Sequence, residues 1–200
     1  MLQYSHMQEL LITYKPYLLG LHLIGVVIGF GGALVADMLF FKFLKDYKIS
    51  KMESQVLRYV SETVWVGIIV LMISGLALFA IDPVGLMNAA KFQAKIAIFL
   101  VIIINGLVLH FSIQPTLRTI NFRDKHKHKK GELSRYRKRA FASGAISLSS
   151  WLSIFVLASL PRSQPYSFVT LIGVYLLVVV IAIISALVLE NLLQRQGSQS

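Results

Sequence analysis

Four side chains with acid–base or ligand chemistry interrupt otherwise apolar stretches: His22, Asp37, Lys95 and His110. Ionisable groups are costly in hydrocarbon, so those found there are candidates for function. An imidazole can ligate a metal or relay a proton, and a carboxylate can hold a proton or a cation. His22 and Asp37 are fifteen residues apart, as are Lys95 and His110, a helical rise of about 22 Å. Two such helices side by side would carry two polar layers. His22 and Lys95 are expected to form an outer polar layer. Asp37 and His110, with Asn105 at their edge, form an inner layer for a proton or ion, or else a structural hydrogen-bonded pair.

At about 100° per residue, His22, Gly25, Gly29, Ala33 and Asp37 fall on one stripe, and Gly25 to Gly29 is a GxxxG. Gly106 lies between Lys95 and His110 on the corresponding face. Small residues there admit a second helix or a flat cofactor, so Gly25, Gly29, Ala33 and Gly106 are expected at a packing seam. The chain has no cysteine, which excludes disulfides, thiolate metal sites, iron–sulfur clusters and thiol catalysis. No nucleophile–base–acid set is present, so a hydrolase or transferase is not expected and the enzymatic role is at most that of an electron-transfer component.

These residues must be positioned by membrane helices. Hydrophobic residues make up 56% of the 200-residue chain and charged ones 14%, with mean hydropathy +0.69, which no ordinary soluble domain shows. A span needs about 20 apolar residues, and five stretches qualify: residues 18–44, 60–81, 91–113, 140–160 and 168–189. None alternates with period two, so the reading is all-α: a polytopic bundle of five spans in one integral membrane domain, residues 1–200. Ser50 to Glu53 has the capping-box form, Asp82-Pro83 ends the second span, Asn88 can cap the third, and Pro161 ends the fourth. Residues 1–15 suit a short surface helix and lack the form of a signal peptide.

The net charge of +11 comes mainly from two inter-helix segments. Sixteen of the twenty Lys and Arg residues lie in residues 42–58, residues 118–139 and the C-terminal tail. By the positive-inside rule this gives N-terminus out and C-terminus in, with a basic cytoplasmic loop over 114–139. The basic segments then face anionic headgroups, which accounts for the charge without nucleic acid. A bacterial-type inner membrane is the expected location. Lys91 is expected to snorkel outward, Glu62 to reach the interface or pair with Arg58, and Glu190 to be interfacial. Ser143, Ser147, Ser149, Ser150 and Ser153 make the fourth span either a buried packing helix or one wall of a wet path.

His22-Leu23-Ile24-Gly25 followed by Gly31-Gly32 resembles the first-helix pattern of bacterial copper-resistance D type and related multi-span membrane proteins. Lys91-Phe92-Gln93-Ala94-Lys95, then Asn105-Gly106 and His110, is similar to a later helix of that group, and the resemblance covers two of the five spans. It implies copper handling or association with haem b. No Met-rich or Cys-bearing outer motif accompanies it, which argues against copper(I) transport. His22 and His110 lie at opposite depths, so one haem cannot bridge them, whereas His22 and Lys95 could flank one. The expectation is a haem-associated or redox-linked membrane protein, with a membrane redox partner or a second copy as associate. The alternatives are a small proton or cation transporter or channel, and a non-catalytic assembly or scaffold subunit.

Overall fold

The computed structural model describes residues 2–44, 51–113, 132–161 and 165–197, and among these every regular element is a helix. In chain order they are α1 (Leu2–Thr13), α2 (Lys15–Leu44), α3 (Lys51–Phe79), α4 (Pro83–Met87), α5 (Ala90–Val108), α6 (Glu132–Ser159) and α7 (Phe168–Gly197). A π-helical turn, Leu109–Ile113, extends α5. Five helices are long and apolar enough to cross a membrane, over Lys15–Phe40, Met52–Phe79, Ala90–Ser112, Arg137–Ser159 and Phe168–Leu192. The basic segment 114–131 and Ser50 of the expected capping box lie outside the described residues.

Glycine sets the closest helix contact. A Cβ built on Gly67 of α3 would lie 2.3 Å from the backbone nitrogen of Gly29 and 3.0 Å from the carbonyl oxygen of Gly25. The same seam sets Gly25 against Leu71 and Gly32 against Val64. Each step forward along α2 is matched by an equal step back along α3, which is a fixed antiparallel register. Such backbone approach gains dispersion contacts, and these drive helix association where lipid tails are as apolar as the side chains. The packing role expected of Gly25 is thus taken up by α3, and that of Gly29 by α3 together with Trp151 of α6.

The first and third spans do not run backbone to backbone as the two-layer expectation required: α2 packs on α3 and α6, while α5 packs on α6 and α7. α2 and α5 meet instead through side chains around Trp151 of α6. The cluster there includes Ala33, Ile68, Leu71 and Ile102, with Phe30, Trp65 and Phe99 against it. Gly106 faces the Trp65 ring, 3.6 Å from the nearest ring atom to a built Cβ. A second cluster joins Ala94 and Ile98 of α5 to Leu157 of α6 and Tyr175 of α7.

α6 is the most buried of the five, and its serines explain how a hydroxyl-rich helix tolerates that position. Ser149 and Ser150 donate to the carbonyls of Ala145 and Ile146, each at 2.6 Å, and Ser150 also meets the Tyr175 hydroxyl at 2.9 Å. The short helix α4 was not expected; Asp82 caps it by accepting the Gly85 N–H at 3.0 Å. Asn88 ends α4 rather than capping the third span, whose cap residue is Ala89 with no side-chain bond.

Candidate functional site

The bundle holds two polar regions at opposite ends of α2. At the end nearer Lys15, the α2–α3 register brings His22 against Ser74 and Gly75. His22 Nδ1 is 2.9 Å from Ser74 Oγ, and the ring lies over Gly75, where a built Cβ would stand 3.5 Å from Cε1. Ser74 Oγ is also 2.6 Å from the Val70 carbonyl, which can only accept, so the single hydroxyl proton points there. The His22 contact therefore has Nδ1–H as donor, and a neutral ring presents its lone pair at Nε2. Lys95 of α5 interacts electrostatically with His22. One turn before it, Lys91 Nζ donates to the Leu160 carbonyl and stands 5.6 Å from the Tyr166 ring centroid, tying α5 to the end of α6.

At the other end, Asp37 sits on a seam between α2 and α6. Phe30 stacks on Trp151 at 6.1 Å, a Cβ on Gly144 would stand 3.4 Å from Asp37 Oδ1, and Phe40 meets Phe141 edge-on at 6.4 Å. The three contacts keep one antiparallel register, so aromatic pairs flank the carboxylate along the seam on both sides. Gly144 leaves the room it occupies. Asp37 Oδ2 is buried and has no hydrogen-bond partner.

His110 lies in the π-helical turn, and its Nδ1 is likewise buried without a partner. Neither a hydrogen bond nor an ion pair joins it to Asp37, so the expected hydrogen-bonded pair is not formed. Asn105 is spent otherwise. Its Nδ2 donates to the Ser143 carbonyl at 3.0 Å while its Oδ1 accepts the Ser143 hydroxyl at 2.7 Å, a reciprocal clasp between α5 and α6.

The same end contains an ion pair that sequence reasoning missed. Arg137 of α6 places Nε 2.8 Å and Nη2 2.7 Å from Glu190 Oε1, and Nη2 also donates to the Glu190 carbonyl at 3.0 Å. Glu190 is fully buried rather than interfacial, and its Oε2 has no hydrogen-bond partner. The signal was present as opposite charges at matching depth in consecutive antiparallel spans, but Arg137 was hidden within a basic run. Ser74 and Gly67 were missed because a single serine or glycine in an apolar span is common. By contrast, Glu62 pairs with Arg58 at 3.5 Å on an exposed face, one of the two outcomes expected.

No group of three His, Cys, Asp or Glu side chains among the described residues could hold a metal ion. The chain matches no protein-family model, no curated protein and no solved structure at a significant level.

Proposed function

We propose that the chain is a redox-linked protein of a bacterial-type cytoplasmic membrane that holds haem b at His22, with Lys95 beside the ligand. One observation carries this reading: the Nδ1–H of His22 is committed to Ser74, which leaves Nε2 as the donor atom. Ligating histidines characteristically have the second nitrogen held in this way, because the bond orients the ring and selects the tautomer. An imidazole is a common axial ligand of haem iron, which supports the reading, and an amine at Lys95 would add a second donor if burial deprotonates it. The glycine stripe does not serve as its cradle, since Gly67 and Trp151 already fill the space against Gly29.

Bound haem supplies one-electron transfer. The chain's own part is to fix the His22 ring through Ser74 and to keep Lys95 within electrostatic reach. The positive-inside rule supports an orientation with the Asp37 end, near Lys42, Arg58 and Arg137 to Arg139, in the cytoplasm. Anionic headgroups then meet the basic segments, and a membrane redox partner or a second copy of the chain accepts the electron.

The test is the absorbance spectrum of purified full chain expressed with ample haem, oxidised and dithionite-reduced. A Soret band that shifts on reduction and disappears in His22→Ala is expected; no band in the wild type overturns the reading.

A second reading, transfer of a proton or another cation, is favoured by Asp37. An unpartnered carboxylate oxygen between aromatic pairs needs a positive species to offset its charge. Flux into liposomes tests it, and a chain giving neither a Soret band nor flux is an assembly or scaffold subunit.

A further inference from the structure

The species that neutralises Asp37 can be identified from what surrounds it. A sodium, potassium, magnesium or calcium ion requires several oxygen ligands to replace its water. No group of three His, Cys, Asp or Glu side chains among the described residues could hold such an ion, Gly144 has no side chain, and the aromatic pairs Phe30–Trp151 and Phe40–Phe141 lie along the seam on either side. Of the nearby polar groups, Asn105 Nδ2 donates to the Ser143 backbone carbonyl and the Ser143 hydroxyl donates to Asn105 Oδ1, so both side chains are held in the α5–α6 clasp. A proton needs only one lone pair, which Asp37 Oδ2 offers.

The second unpartnered atom gives the direction of loading. α5 and α6 run antiparallel, and Asn105 is level with Ser143, beside Gly144 and therefore Asp37. His110 lies five residues further along, about 7 Å nearer the basic end. It sits in a π-helical turn, a local geometry that frequently accompanies functional sites.

We propose that Asp37 is a proton-binding site, selective for H⁺ over metal cations, that exchanges with water at the basic end of the bundle through His110. The proposal rests on the second reading above and is independent of haem at His22. The transfer balances: the His110 imidazole takes a proton from hydronium at that end, leaving water, and the imidazolium passes one through a bridging water to Asp37 Oδ2. The products are a neutral imidazole and a carboxylic acid. On α3, Arg58 pairs with Glu62; on α6, Arg137 pairs with Glu190; on α2 itself, Lys42 is exposed. Lys138 of α6 is half-buried and Arg139 is exposed. No hydrogen bond or ion pair among the described residues neutralises Oδ2.

The test uses full-length chain in phosphatidylcholine–phosphatidylglycerol liposomes with pyranine in the lumen and a valinomycin potassium potential, alongside parallel sodium and potassium tracer uptake. The wild type is expected to acidify the lumen faster than protein-free liposomes. Asp37→Asn should fall to the protein-free rate, Asp37→Glu should keep part of the rate, and His110→Gln should slow it. Size-exclusion elution and unfolding temperature establish that each variant is folded. If Asp37→Asn does not fold, the wild-type ion selectivity and the Asp37→Glu rate decide. Uptake of sodium or potassium without protons overturns proton selectivity and leaves the ion-site reading standing. Wild-type proton flux that a folded Asp37→Asn retains overturns the assignment to Asp37. No flux of any ion above protein-free liposomes overturns both the inference and the reading beneath it.

Discussion

His22 Nδ1 and Ser74 Oγ are joined at 2.9 Å across the α2–α3 hairpin, and the Val70 carbonyl fixes which of the two donates. The serine thereby selects the tautomer of the one imidazole at that end of α2. Removing it should leave the ring free to turn and to exchange tautomers. In Ser74→Ala, haem affinity should fall by about 10- to 100-fold, the usual loss when the group orienting a ligating histidine is removed. Haem titration followed at the Soret band checks this; unchanged affinity would show that Ser74 does not orient the ligand.

The glycine seam makes a prediction of sign. A Cβ at Gly67 meets the Gly29 backbone at 2.3 Å, so Gly67→Ala must part α2 and α3 and should cost about 1–3 kcal/mol or more. Nothing lies within 4 Å of a Cβ at Gly31, so Gly31→Ala should be neutral or stabilising by up to about 1 kcal/mol through helix propensity. Unfolding in graded detergent separates the two, and equal effects would contradict the close approach.

The Arg137–Glu190 pair should behave as a buried ion pair does. Glu190→Ala takes the buried carboxylate away from the guanidinium and is expected to cost about 3–5 kcal/mol, whereas Arg137→Met with Glu190→Leu should recover most of that loss. A double-mutant cycle measures the difference. Additive losses would mean that the two side chains do not depend on each other.

The proposed orientation is open to a direct chemical check, because the chain has no cysteine of its own. Gln55 and Asn88 are both exposed, at opposite ends of the bundle. In intact cells a membrane-impermeant maleimide should label Asn88→Cys and spare Gln55→Cys, with both labelled after lysis. The reverse pattern would invert the topology.

Much of the fold was legible because hydrophobic length and Pro and Gly punctuation are local properties. The five apolar helices follow from runs of about 20 apolar residues. Terminal details were less legible: α4 is a single turn made by Asp82 and Pro83, and Asn88 serves it rather than α5. The depth of each polar residue in its own helix was also legible, since depth is residue count times rise. What each one touches was not. Gly25 and Gly29 read equally well as a seat for a helix or for a cofactor, and α3 and Trp151 of α6 took that seat.

By itself, then, the sequence determined which segments form apolar helices and at what depth His22, Asp37, Lys95 and His110 lie, because helix formation and periodicity act within a segment. Only the tertiary structure decided the partners. The register set by Gly67 against Gly29 brings Ser74 to His22, and the seam from Trp151 to Phe141 leaves Asp37 facing Gly144 instead of His110. Register depends on which backbones approach most closely, and that is a property of pairs of helices which no single span encodes.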